Sequence, residues 1–89
     1  MTAILTNAAN DATANSTLTG ESRVICSGTF SDRTKVVITL LGDALDPAEI
    51  YTFRGTGAIV VRGANNDTLT ATVRDGDSDT SIDVSVTAI

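Results

Sequence analysis

Residues 34–41 read Thr-Lys-Val-Val-Ile-Thr-Leu-Leu, the most apolar stretch of the chain, and they stop at Gly42-Asp43. A short β-branched run bounded by turn formers fits a buried strand and is too short for a typical helix. As a strand it presents Val36, Ile38 and Leu40 on one face and Val37 and Leu41 on the other. A small domain usually has to bury only one face of a strand. Two apolar faces call for cover on both sides, either from the domain itself or from another subunit.

The rest of the chain alternates. In 22–30, Val24, Cys26, Gly28 and Phe30 oppose Arg23, Ile25, Ser27 and Thr29. In 48–54, Tyr51 and Phe53 oppose Ile50, Thr52 and Arg54. A short segment, 58–62, follows the Gly55-Thr56-Gly57 turn. In 68–74, Leu69, Ala71 and Val73 share a face, and in 80–89 so do Ile82, Val84, Val86 and Ala88. Between these segments lie turn signals: Phe30-Ser31-Asp32-Arg33, the 42–47 loop ending in Pro47, Gly63-Ala64-Asn65-Asn66-Asp67, and the Asp-Gly pair at 75–76. A hairpin at 30–33 would set Cys26 and Gly28 beside Val36 and Ile38. Another is expected at 75–79. A single turn of helix is allowed at Asp46 to Glu49.

These six to seven short strands predict an all-β fold, a small antiparallel β-sandwich or barrel, over residues 16–89. Residues 1–15 read as an N-terminal arm. Its one apolar patch, Ala3-Ile4-Leu5, could add a strand at a sheet edge or at a neighbouring subunit; it is followed at 7–15 by Asn, Asp and Thr, which compete locally for backbone hydrogen bonds and favour an irregular connection.

With 89 residues the chain is one domain, and a domain of this size buries only about 60–65% of what its unfolded chain exposes. Its aromatic residues are Phe30, Tyr51 and Phe53, and it has one cysteine and no histidine. An internal disulfide and a cysteine–histidine zinc site are therefore excluded, and oligomerisation is the expected source of extra burial. The formal net charge of −5 disfavours phosphate backbones and anionic lipid, so neither nucleic acid nor membrane is expected as a partner. The N-terminus lacks the basic and apolar regions of a signal peptide, so synthesis in a reducing cytoplasm is expected. Without secretion, the Asn-X-Ser/Thr triplets at Asn15 and Asn66 read as chance.

Few constellations could carry chemistry. Without histidine there is no Ser-His-Asp arrangement, and no glycine-rich phosphate loop precedes a helix, so no enzyme is expected. Asp75, Asp77 and Asp79 alternate in one loop and could offer oxygens to calcium. No glutamate closes that loop in the EF-hand manner, and a solvated loop is the plainer reading. No cofactor is expected. Cys26 falls among core positions and reads as a small buried hydrophobe. The outward threonines suit a solvated sheet. Candidate interface residues are Ile25, Val37, Leu41 and Val60, apolar at outward positions, together with Ile4 and Leu5 of the arm.

The order of segments resembles a group of small virion proteins of tailed bacteriophages. The matching pieces are Ser27-Gly28-Thr29-Phe30, the β-branched stretch Val36 to Leu41, Tyr51 to Phe53, Gly57-Ala58-Ile59-Val60-Val61, and the strands at 69–73 and 81–86. They cover about two thirds of the chain and include no catalytic motif; the tryptophan often found in the aromatic strand is missing here. The resemblance implies a capsid decoration (cement) protein located in the virion. It would be a homo-oligomer, with a trimer favoured, binding the major capsid protein or another virion protein. A ligand- or carbohydrate-binding β-module, or a small head or tail appendage protein, is the alternative.

Overall fold

A computed structural model describes residues 2–9, 11–41, 48–76 and 79–89. The described residues are all-β, as the period-two patterning requires. Six antiparallel strands form one sheet: β1 (Thr2–Ala8), β2 (Thr13–Thr29), β3 (Lys35–Leu41), β4 (Ala48–Phe53), β5 (Gly57–Arg74) and β6 (Ser81–Ala88). Their order across the sheet is β1-β6-β2-β5-β3-β4.

Two of these strands are far longer than the sequence pattern suggests, and they organise the fold. The far half of β5 pairs with the near half of β2, from Thr13↔Thr72 to Thr17↔Thr68. The other halves pair from Glu21↔Arg62 to Cys26↔Gly57. Between the halves the register slips twice, near Thr19. Buried residues nevertheless keep one parity through the slip: Leu18, Val24 and Cys26 on β2, and Val61, Leu69, Ala71 and Val73 on β5. They join Val36, Ile38, Phe53, Ile82, Val84 and Val86 in one cluster. A lone sheet cannot keep one face dry unless it folds over itself. β6 and β1 extend the first layer from β2 22–29, and β3 and β4 extend the second from β5 68–74. The short dimension of 15 Å suits two stacked layers. The architecture is thus sandwich-like, made from one bent sheet and not closed into a barrel.

The bend explains one departure from the sequence reading. Gly63 to Asp67 is not a turn between two strands but a kink inside β5. Asn66 takes φ +73°, a left-handed conformation open to Asn, and the Leu18 side chain lies where a Cβ on Gly63 would sit, 2.6 Å from Leu18 Cδ1.

The expected hairpins at 30–33 and 75–79 do not form, since β2 does not pair with β3, nor β5 with β6. Both connections cross between layers and are tied to each other. Thr34 N–H donates to the Ser31 carbonyl at 3.1 Å, and the Thr34 hydroxyl donates to the Asp75 carbonyl at 3.3 Å. Thr80 Oγ1 lies 3.2 Å from the hydroxyls of both Ser31 and Thr34. These hydroxyl contacts join the two connections where sequence-local turn formers would have allowed hairpins.

The arm reading of 1–15 also needs correction for its described residues. The patch at 3–5 does add a strand at the sheet edge, β1 paired with β6, but β2 already begins at Thr13, so that among the described residues only 9, 11 and 12 of the expected irregular connection lie outside strands. Leu5 and Ala8 are buried, and a register slip between Ala3 and Leu5 lets Ile4 pack on the core as well. Apolar burial outweighed the turn preference of Asn7, which sits at φ +49° where the strand is irregular. Ala88, expected inward, is exposed at the strand end. The proposed helical turn at 46–49 lies partly outside the described residues, and Glu49 belongs to β4.

Candidate interaction site

Among the described residues, the bent sheet leaves one side unsealed. On one flank, β1 pairs with β6 and also comes near β2 and β5. On the other flank β4 has no comparable packing against β5. β5 57–62 pairs with β2 along one edge, and no described strand pairs with its other edge, because β3 meets β5 only at 68–74. β4 is likewise the last strand of its layer. Between these two free edges runs a groove of about 440 Å³, lined by Leu40, Ile50 and Tyr51 on one side and Ile59, Val60, Val61 and Arg62 on the other.

Parity shows that this seam is uncovered core. Tyr51 stands opposite Ile38 and alternates with Phe53, so it faces inward. Phe53 is buried, yet Tyr51 is 45% exposed, although the two rings meet edge to face at 4.9 Å. Ile59 stands opposite the buried Val24 and is itself half-buried. Ile50 is the extra residue of a β-bulge, where β4 steps from Tyr51 to Glu49 while β3 steps from Ile38 to Thr39. Ile50, on the opposite side of the strand from Tyr51, is 41% exposed, and Val60 on the facing edge is 51% exposed. The charged rim is sparse. Arg62 approaches Glu21 at 3.6 Å, an exposed pair that contributes about 0–1 kcal/mol.

The sequence-derived interface candidates fall into three places. Val60 lines the seam, and Ile25, half-buried, lies diagonally beside it on the outer face of the first layer. Val37 and Leu41 lie on the outer face of the second layer, next to Thr72 and Thr68. That face is largely self-satisfied: Thr13 and Thr72 hydroxyls meet at 3.0 Å, and Thr70 donates to Asn15 Oδ1 at 2.8 Å. Leu5 is core, and Ile4 packs on it. Sequence reading missed Ile50, Tyr51 and Ile59. The alternation of Tyr51 with Phe53 was visible, but nothing local reveals that the strand which would cover it is missing.

A second groove of about 540 Å³ lies at the layer-crossing end, lined by Thr29, Phe30, Ser31, Asp32, Arg33, Asp75 and Asp79. Asp77 and Ser78 of the possible calcium loop lie outside the described residues. Among the described residues no group of three His, Cys, Asp or Glu side chains is placed to hold a metal ion. No described helix is long and apolar enough to cross a membrane.

Cys26 is fully buried, and burial first, then the Asp83 carboxylate, push its thiol up to about 11. The thiolate is the reactive form. Native protein at pH 8 is therefore expected to resist maleimide for hours and to label at once in denaturant; rapid native labelling would refute the buried placement. Stability should also fall in alkali. Between pH 9 and 11 the unfolded thiol, at its ordinary value of 9.0, loses a proton that the folded one keeps. Unfolding free energy then declines by about 2–3 kcal/mol across that window. Cys26→Ala should remove that part of the slope in pH-dependent denaturation.

No protein-family model matches the chain, and neither a curated protein nor a solved structure is significantly similar to it.

Proposed function

We propose that the chain is a non-enzymatic structural protein of a phage virion, a capsid decoration protein that oligomerises and stabilises the head. The observation that carries this reading is the seam. A domain with few large apolar residues leaves inward-facing Tyr51 45% exposed and Ile59 only half-buried. Covering an apolar side chain fully contributes about 1.5–3 kcal/mol, so an assembly gains what the lone domain forgoes. The segment order shared with small virion proteins supports the choice of partner, and the acidic charge argues against binding the packaged nucleic acid.

The test is sedimentation of the purified protein with DNA-filled phage heads that lack decoration. Saturable co-sedimentation, with the heads retaining DNA to higher temperature, is the expected result. Absence of association with heads, and with complete virions, would overturn the proposal. The alternative, a ligand- or carbohydrate-binding module, is favoured by the second groove, where Phe30 lies among Asp32, Arg33 and Asp79. Titration with oligosaccharides, followed by amide chemical shifts, would support it only if the changes cluster at those residues.

A further inference from the structure

Among the described residues several edges are unpaired, and they are not equivalent: that of β2 13–17, which β6 reaches only from Ser22 on, carries no slip but lines none of the apolar groove. β1 carries two register slips and the positive-φ Asn7, and β4 carries the bulge at Ile50. Such irregularities are how native sheets blunt an edge against pairing with another chain. β5 57–62 has none. Its pairing to β2 runs without a slip from Arg62 to Gly57, it contains no proline, and its one charge is Arg62. An edge this regular, beside an uncovered apolar groove, is unprotected unless another strand occupies it.

We propose that the occupant is the same edge of a second copy, so that two chains pair antiparallel through residues 57–62 about a two-fold axis. Antiparallel pairing of a strand with its own symmetry mate is self-complementary. Keeping inward residues inward centres the pairing on Ile59 or Val60. The partner's strand then enters the seam, its Ile59 and Val61 meeting Tyr51, and the two Val60 side chains come opposite or diagonal on the outer face. Charge allows it there. The chain is acidic overall, yet β4, the 54–56 bend, β5 57–62 and the β2 residues paired to that edge carry Arg23, Arg54 and Arg62 against Glu21 and Glu49. Two copies of an acidic protein thus meet at a patch of slightly positive balance, where mutual repulsion is least. One six-residue strand and a few side chains cover less than the about 800 Å² per partner of a standard stable interface. The dimer is therefore weak and concentration-dependent in solution.

This deepens the oligomeric part of the proposed function and does not require a capsid. The test is sedimentation velocity from 10 µM to 1 mM, with acrylamide quenching of Tyr51, the chain's single tyrosine in a protein without tryptophan. The wild-type mass should rise from 9.2 kDa toward twice that value, with quenching falling in step. Val60→Glu can pair with Arg23 opposite it in its own sheet, so it should fold, as unchanged circular dichroism would check. Alone it should remain monomeric at 1 mM, because like charges across a strand pair repel. Val60→Lys should do the same, and mixing the two variants should restore the dimer. A wild-type monomer at 1 mM, or a mixture that stays monomeric, would overturn the inference. An oligomer that survives Val60→Glu would overturn this interface and leave the structural-protein reading standing. A monomer that still binds heads would also refute the inference alone.

Discussion

Replacing Gly28 with alanine is expected to cost about 3–5 kcal/mol, among the largest effects of any single substitution here. Gly28 lies on β2 opposite Ile82, at φ +125°, a backbone conformation that side chains rarely adopt. A Cβ there would run into the Ser81 carbonyl and come within 3.1 Å of Ile82 Cα. Both obstacles are backbone held in the β2–β6 ladder, so neither can rotate away. A domain of this length has a total stability of roughly 4–13 kcal/mol. Thermal unfolding should therefore shift down on the order of 20 °C, or the variant should not fold. Gly20 supplies the control. It has a similar φ of +133° with nothing within 4 Å of a built Cβ. Gly20→Ala carries the backbone strain without the collision and should cost about 1–3 kcal/mol. Equal losses at the two positions would show that the clash is relieved by some other movement.

Ile38→Ala is expected to destabilise by about 2–5 kcal/mol, the range for emptying a filled core site. Its neighbour makes the comparison sharp. Ile38 is fully buried on the inner face of β3, whereas Val37 points to the threonine-rich outer face. Val37→Asp should change stability by no more than about 1 kcal/mol and should leave self-association intact, since Val37 does not line the seam. Denaturant titration of both variants would measure this. Comparable losses at 37 and 38 would mean that the second face of β3 is covered after all, as its apolar character first suggests.

What the sequence made legible was parity. Val24 with Cys26, Leu69 with Ala71 and Val73, and Ile82 with Val84 and Val86 all face the core, because a period of two leaves little room for another answer. Partnership was not legible. Phe30-Ser31-Asp32-Arg33 looks the same whether it closes a hairpin or crosses between layers, and the contact it makes in the crossing, with Thr80, is 49 residues away from Ser31. Gly63 and Asn66 are turn formers by type, yet the chain uses them to bend a strand because Leu18 fills the space beside Gly63. Asn7 has a turn-forming side chain and still lies in β1, between the buried Leu5 and Ala8. The seam was least legible of all. It depends on which edges remain unpaired, a property of the whole topology that Tyr51 and Ile59 do not carry individually.

The two long strands also set how the chain can fold and come apart. Thr13 and Thr72 are 59 positions apart, yet their pairing holds one end of the β2–β5 ladder. Among the described strands only β3 and β4 pair with their neighbour in sequence; the first layer needs β6 from the far end of the sequence, and the second needs β5 to reach back to β2 13–17. Pairings this distant in sequence make for slow folding, on the millisecond-to-second scale of non-local β proteins. Since β2 and β5 belong to both layers, a crack in one should propagate into the other, and unfolding is expected to be a single step.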